Sequence, residues 1–285
     1  MKYFIASRNS NSFVEFLRSQ KLSSSFLVDS PEDPRSCVLI SIDSVNLFEL
    51  FRPYRRKIYF SLEFSKARKF YWLIYLYRFV FDCLFEWELN SCGASRSFLP
   101  FFPSRVGLLH EVSGIVSTVN PLDFYSTQDF LSLKMRDLSV VVSNKSFLPW
   151  QFLRLELIDR LSRTISFDRF GRGFFPIDDK ADALLNYRYH LACENCDAGP
   201  SEKLWDPLLC SCVVFYAGNI SLVHPFLRRA IIPIPLKSSV LTARIISSEL
   251  ITRRRFKSLD QQYWLSAKAL INRLYSFESF IERNI

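Results

Sequence analysis

Glycine is scarce in this sequence, with 7 residues among 285, whereas phenylalanine occurs 28 times. The chain contains no fixed-period repeat and no low-complexity tract, which argues against repeat architectures. Apolar residues make up 49% of the chain, too large a share for a disordered protein. The composition therefore predicts one large domain or two domains of ordinary size, with thick aromatic cores.

A long hydrophobic run is also missing. The most apolar stretch, residues 70–85, is interrupted by Arg78 and Asp82 and falls short of the ~20 residues that a membrane-spanning helix needs. Residues 1–8 contain too short an apolar run for a signal peptide. We therefore expect a soluble, cytoplasmic protein.

The cysteine pattern does not favour disulfides, because the seven cysteines are an odd number and no export signal accompanies them. Cys193 and Cys196, followed by Cys210 and Cys212, offer four thiols that zinc could use. The second pair is separated by one residue, a spacing that suits a strand better than a zinc knuckle. We predict buried thiols and no metal site.

Basic residues outnumber acidic ones, and the formal net charge is +9. They cluster at 52–57 and 253–257, but neither cluster is long or lies in a recognisable nucleic-acid motif. A generally basic surface, a phosphate-bearing ligand and an anionic membrane face all remain open as explanations. We expect no nucleic-acid partner, and a basic surface would suit peripheral membrane association.

The second half of the chain alternates between β-branched runs and amphipathic segments, the pattern of a parallel sheet covered by helices on both faces. Strands are predicted at 138–143, 164–170, 187–193, 212–217 and, as an edge strand with two prolines, 230–236. Helices are predicted at 149–162, 178–186, 201–210 and 221–229, followed by a mostly helical tail from about 241 to 285.

The first half also has an α/β pattern, although a weaker one. Strands are predicted at 3–6, 37–42, 57–62 and 81–85, and helices at 13–20 and 64–79. The segment 120–134 lacks a strong period and is the predicted linker. We therefore predict an α/β domain at 1–134 and a second at 135–285, with a ligand cleft between them at the carboxyl ends of the strands.

The polar and charged residues that could form a binding or catalytic site are concentrated directly after the predicted strand 187–193. That strand ends in Glu194-Asn195, and Ser201 is a good amino-terminal cap for the helix that follows. Glu202 and Lys203 lie in the first turn of that helix. Because a helix amino terminus and a lysine both attract phosphate, this segment is a candidate phosphate site.

This stretch resembles the donor-binding motif of the α-1,3/α-1,4-fucosyltransferases, glycosyltransferase family 10. The resemblance spans about residues 138–236, and its segments occur in the family's order. They are 141–144 (VVSN), Arg154 in the following helix, 168–172 (DRFGR), 189–195 (YHLACEN), 201–204 (SEKL) and 213–218 (VVFYAG).

The resemblance implies two Rossmann-like domains of the GT-B type and inverting transfer of L-fucose from GDP-fucose to a hydroxyl of a glycan such as a lipopolysaccharide or capsule sugar. The charge of the chain adds that a lipid-linked or anionic acceptor at a membrane face would suit the basic surface. The resemblance assigns the diphosphate to Arg154 and Lys203, so that no metal cofactor is required. Glu202 and Asn195 would bind the ribose or the fucose. The donor-binding set is completed by Glu194, Asn144 and Ser143.

The resemblance also implies a general base, a glutamate just after a strand of the amino-terminal domain. Glu63 follows the predicted strand 57–62 and is our candidate, with Glu86, Glu88 and Glu111 as rivals. The sequence departs from the family at Gly199-Pro200, where the family has an aromatic residue. Two alternatives therefore stay open: the same fold with another nucleotide sugar, and a catalytically inactive nucleotide-sugar-binding homologue.

Overall fold

The structure is a computed structural model. It describes residues 2–6, 27–28, 31–42, 47–60, 80–86, 96–97, 129–147, 149–177, 180–194, 200–221 and 223–275. The chain divides into two compact units, Met1–Leu99 and Pro100–Ile285. The boundary that we predict at 134/135 stays a prediction, because residues 98–128 lie outside the described part.

The first unit contains a parallel sheet in the order β2-β1-β3-β4-β5-β6. The strands are β1 (Lys2–Ala6), β2 (Leu27–Val28), β3 (Cys37–Ile42), β4 (Arg56–Phe60), β5 (Cys83–Glu86) and β6 (Arg96–Ser97), and helix α1 (Leu47–Phe51) follows β3. Each of the four strands predicted for this half coincides with an observed strand to within a few residues. The helices predicted at 13–20 and 64–79 lie outside the described residues.

The second unit contains a parallel sheet in the order β11-β10-β9-β7-β8. Its strands are β7 (Arg136–Val141), β8 (Asp168–Phe170), β9 (Tyr187–Cys193), β10 (Val213–Ala217) and β11 (Ile231–Pro233). The helices are α2 (Pro149–Ser162), α3 (Glu202–Leu209), α4 (Ser239–Thr252), α5 (Arg254–Lys257) and α6 (Gln261–Tyr275).

The central strands of the second unit lie in its core. All five residues of β10 are buried, and six of the seven in β9 are buried as well. Burial of both faces of a strand is characteristic of parallel sheets that are covered on both faces. Helix α2 begins at Pro149, a residue whose fixed φ suits the first helical position, and it buries Leu157, Ile158 and Leu161.

The strand order places a topological switch point in the second sheet. The first strand of this unit, β7, lies between its second strand, β8, and its third strand, β9. The chain therefore runs from β7 to β8 on one side, returns across β7 to β9, and adds β10 and β11 on the opposite side. In doubly wound α/β sheets, ligands bind outside the carboxyl ends of the strands at such a point.

Some predicted elements are shorter than expected. The strand predicted at 164–170 covers only Asp168–Phe170, because the backbone N–H groups of Thr164 and Ile165 close the end of α2 by bonding to the Leu161 carbonyl. The helices predicted at 178–186 and 221–229 reduce, within the described residues, to single 3₁₀ turns at Lys180–Ala183 and Leu227–Ala230. The edge position of β11 is confirmed.

Neither a spanning helix nor a metal cluster occurs in the described parts of the chain. Cys37, Cys193, Cys210 and Cys212 are buried free thiols, and Cys212 Sγ donates to the Leu184 carbonyl at 3.2 Å. The predicted location and membrane association stay predictions.

A buried lysine was not expected from the sequence. Lys134 is 3% exposed, and its Nζ donates to the carbonyls of Leu184 at 3.0 Å and Cys210 at 2.6 Å. These bonds tie the segment before β7 to those before β9 and β10. These hydrogen bonds compensate the Lys134 nitrogen for part of the hydration that it loses at this depth.

Lys134→Met should lower the free energy of unfolding by about 1–3 kcal/mol, because it keeps the apolar stem and removes hydrogen bonds to two carbonyls. Urea denaturation measures the change. Lys237→Met is the matched control at an exposed position. An equal effect of the two substitutions would contradict a structural role for Lys134.

Candidate functional site

The carboxyl ends of β7, β9 and β10 meet at one edge of the second sheet, because the strands are parallel. Hydrogen bonding continues past the strand ends. Asn144 N donates to the Arg172 carbonyl at 2.9 Å, and Glu194 N donates to the Ala217 carbonyl at 3.0 Å. The segments identified from the sequence, 141–144, 168–172, 189–194 and 213–218, therefore lie together at this edge.

Two glycines allow the turn after β8 to pack against the segment 142–144. Gly171 and Gly173 have φ values of +110° and +88°, in the region that side chains rarely adopt. A Cβ at Gly171 would lie 2.3 Å from the Val142 carbonyl oxygen, and one at Gly173 would lie 2.6 Å from Asn144 Nδ2. Asn144 is therefore held against the turn, next to Ser143.

Glu194 is the buried centre of this edge, with 4% of its surface exposed. Its Oε1 accepts hydrogen bonds from Ser201 N at 2.9 Å and Tyr216 Oη at 3.0 Å. Its Oε2 accepts from Ser201 Oγ at 2.7 Å and faces Lys203 Nζ at 3.5 Å. The carboxylate is therefore engaged by the protein, and it acts on the site through Ser201 and Lys203.

Lys203 lies in the first turn of α3, and its side chain is 20% exposed. Ser201 caps the helix as predicted, since its Oγ accepts from Lys203 N at 3.3 Å. Lys203 Nζ lies 3.2 Å from Glu202 Oε1. Burial alone would lower the pKa of Lys203, but the charges of Glu202 and Glu194 outweigh it and raise that pKa above its ordinary value. Lys203 is therefore cationic at neutral pH.

Arg154 projects from α2 and is 5% exposed. One terminal guanidinium nitrogen donates to the Ser143 carbonyl at 3.1 Å. Burial lowers the pKa of Arg154, while neighbouring Cys193 and Glu194 oppose that shift. The positive charge of Arg154 in turn acts to lower the pKa of Lys203, so the two cations are close enough to repel each other.

Two cationic side chains and a helix amino terminus come together in this arrangement. A buried arginine, a lysine and the amino terminus of α3 lie at the carboxyl edge of the sheet, beside the switch point between β7 and β9. Positive charges and helix amino termini are the usual ligands of phosphate groups. The arrangement can therefore hold a phosphorylated ligand and stabilise negative charge that develops on it.

The structure brings six of the predicted site residues together at this edge: Ser143, Asn144, Arg154, Glu194, Glu202 and Lys203. Asn195 and Glu63 lie outside the described residues, and so do Glu88 and Glu111. The side chain of Glu86, at the end of β5, is not described either. The roles predicted for all of these residues stay predictions. Tyr216 was not among the predicted site residues. Its only signal in the sequence is its place two residues before Gly218, near the end of β10.

Glu194→Gln should lower the free energy of unfolding by about 1–3 kcal/mol, because the amide replaces a buried carboxylate that accepts several hydrogen bonds. Glu202→Gln, the matched control, should change it by less than about 1 kcal/mol, since Glu202 forms a partly exposed pair with Lys203. Urea denaturation of both variants measures the difference. Equal losses would show that Glu194 does not organise this edge.

No protein-family model matches this chain, and no curated protein matches it in sequence. Solved structures do match it. A crystal structure of an α1,3-fucosyltransferase aligns with a TM-score of 0.56 and 14% identity, covering 90% of this chain and 80% of that one. An α1,3-fucosyltransferase structure with GDP-fucose aligns with a TM-score of 0.54 and 13% identity, and it covers the same shares of the two chains.

An α1,3-fucosyltransferase structure with GDP aligns with a TM-score of 0.54 and 15% identity, covering 96% of this chain and 89% of that one. These identities are low, so the likeness is one of fold. Two α/β units with parallel sheets, matched over most of both chains, are the GT-B architecture implied by the sequence resemblance. The chain therefore has the GT-B type fold seen in the α1,3-fucosyltransferase structures.

Proposed function

We propose that this protein is an inverting glycosyltransferase that transfers L-fucose from GDP-fucose to a hydroxyl of a glycan acceptor. The observation that carries the proposal is the pair of cations, Arg154 and Lys203, at the switch-point edge of the second sheet. The fold supports it, since the solved structures that share this fold include an α1,3-fucosyltransferase with GDP-fucose.

The chemistry of the leaving group explains the two cations. When the bond between the sugar and the diphosphate breaks, negative charge grows on the diphosphate, and fixed positive charges lower the energy of that transition state. Arg154 offers a planar fork suited to bidentate phosphate contact, whereas Lys203 acts as a point charge. With both in place, we propose that transfer requires no metal ion.

Inversion at the sugar requires a base that takes the proton of the acceptor hydroxyl while the diphosphate leaves from the opposite side. We assign this role to Glu63, on the sequence pattern of a glutamate just after a predicted strand. We assign contacts with the ribose or the fucose to Glu202 and Asn195. We assign donor binding at the carboxyl edge of the second sheet to Ser143 and Asn144 as well.

A second candidate keeps the fold and changes the donor. Gly199-Pro200 stands where the fucosyltransferase family has an aromatic residue, directly before the helix that carries Lys203. A change at this position could alter which base or sugar the site selects. A comparison of guanine and uracil nucleotides separates the two candidates.

GDP should raise the melting temperature of the protein in buffer containing EDTA, and it should do so more than UDP, because a ligand that binds only the folded state stabilises it. Arg154→Ala and Lys203→Ala should each weaken GDP binding by about tenfold or more, the loss of a charge-assisted phosphate contact. Thermal shift titrations with GDP and UDP measure both effects.

The controls for that assay are Arg160→Ala on the exposed face of α2 and Lys237→Ala on the surface, which remove a positive charge away from the site. Both should bind GDP like the parent protein. A larger shift with UDP would favour the second candidate. If no nucleotide shifts the melting temperature, the proposed function is wrong.

Glu63→Gln should retain GDP binding but reduce the rate of fucose transfer by at least about 100-fold, the usual contribution of a general base. GDP release from GDP-fucose in the presence of glycan acceptors measures the rate of transfer. The thermal shift with GDP measures binding. Glu86→Gln is the comparison variant. If Glu86→Gln loses transfer and Glu63→Gln does not, the base is Glu86.

A further inference from the structure

The structure assigns a positioning role to Tyr216, a residue that holds Lys203 in place through Glu194. This inference rests on the proposed function, because it concerns how the same site binds a diphosphate. Tyr216 lies on β10 and is 1% exposed. Its hydroxyl donates to Glu194 Oε1 at 3.0 Å and therefore contacts the carboxylate rather than the candidate ligand site directly.

Glu194 transmits this contact to the first turn of α3. The carboxylate bonded by Tyr216 also accepts from the backbone N–H of Ser201 and from its hydroxyl, at 2.9 and 2.7 Å. Ser201 Oγ in turn lies 3.2 Å from Lys203 Nζ, which also faces Glu194. The Glu194 carboxylate therefore holds the start of the helix and, together with Glu202, contributes to the position of the ammonium group.

Gly218 makes room for this pair. A Cβ at position 218 would lie 2.5 Å from Tyr216 Oη and 2.8 Å from Glu194 Cγ, closer than atoms can approach without a shift. A larger residue than Gly218 at this position would therefore displace Tyr216 or Glu194. The lack of a side chain at Gly218 lets the tyrosine hydroxyl meet the carboxylate, and the hydrogen bond links β10 to the lysine on α3.

The chain contains a matched control for the loss of such a bond. Tyr189 is also buried, and its hydroxyl donates to Glu249 Oε1 at 2.9 Å. That carboxylate oxygen also accepts a backbone N–H, from Arg255 at 2.7 Å. Tyr189→Phe therefore removes the same kind of tyrosine–carboxylate bond on the neighbouring strand, at a place that does not involve Lys203.

The test measures the affinity for GDP and for guanosine by calorimetry, with UDP and uridine in parallel. Tyr216→Phe should weaken GDP binding by about fivefold, the scale of coupling within one hydrogen-bond network, while the affinity for guanosine stays unchanged. If Tyr216 positions Lys203, the two affinities should differ in this way, because the ammonium group contacts the diphosphate of GDP and guanosine has no diphosphate. Tyr189→Phe should leave both affinities unchanged.

A double-mutant cycle tests whether Tyr216 affects GDP binding through Lys203. In a Lys203→Ala background, Tyr216→Phe should have no further effect on GDP affinity, because the group that it positions is gone. Gly218→Ala is a second, independent variant, since it displaces the pair without removing a polar group. It should reproduce the selective loss of GDP affinity.

Three results would overturn the inference: an unchanged GDP affinity in Tyr216→Phe and Gly218→Ala, an equal loss for GDP and guanosine, or a loss that persists in the Lys203→Ala background. Each leaves the proposed function standing, provided that the parent protein binds GDP through Lys203. A parent protein that binds neither diphosphate overturns the proposed function and this inference together.

Discussion

The buried carboxylate of Glu194 is the interaction on which the candidate site depends. A carboxylate in a nearly dry environment is stable only if hydrogen bonds and opposite charge compensate for the lost water. Ser201 and Tyr216 supply the hydrogen bonds, and Lys203 supplies the charge. Because Ser201 must return to Glu194, the start of α3 is fixed over the end of β9.

The charges of the candidate site partly compensate each other. Arg154 acts against the positive charge of Lys203, whereas Glu194 favours the charged form of both cations and Glu202 that of Lys203. We propose that the two adjacent negative groups of a nucleoside diphosphate would offset the repulsion that remains between the cations.

Local features of the second unit were predictable from the sequence. The bounds of α2 and β9 agree with the prediction, since Pro149 suits the first position of a helix and the segment 187–193 is mostly apolar. The Ser201 cap is local in the same sense. The resemblance then added Arg154, which sequence pattern alone would have left as a solvated helix residue.

Features that depend on the register between strands were not predictable. The bond between Tyr216 and Glu194 arises because β9 and β10 pair with Cys193 opposite Ala217, and nothing in either segment specifies that register. The burial of Lys134 depends on carbonyls 50 and 76 residues away. The strand predicted at 164–170 is shorter than expected for a different and local reason, since Thr164 and Ile165 close the end of α2.

We propose that Arg154 and Lys203 together hold the diphosphate of a nucleotide at the carboxyl edge of the second sheet. A crystal structure of the protein with GDP would show whether they do. We expect nitrogen atoms of both side chains within about 3.2 Å of diphosphate oxygens, with the Tyr216–Glu194 bond intact. A diphosphate bound elsewhere, or one that contacts neither cation, would exclude this role for Arg154 and Lys203.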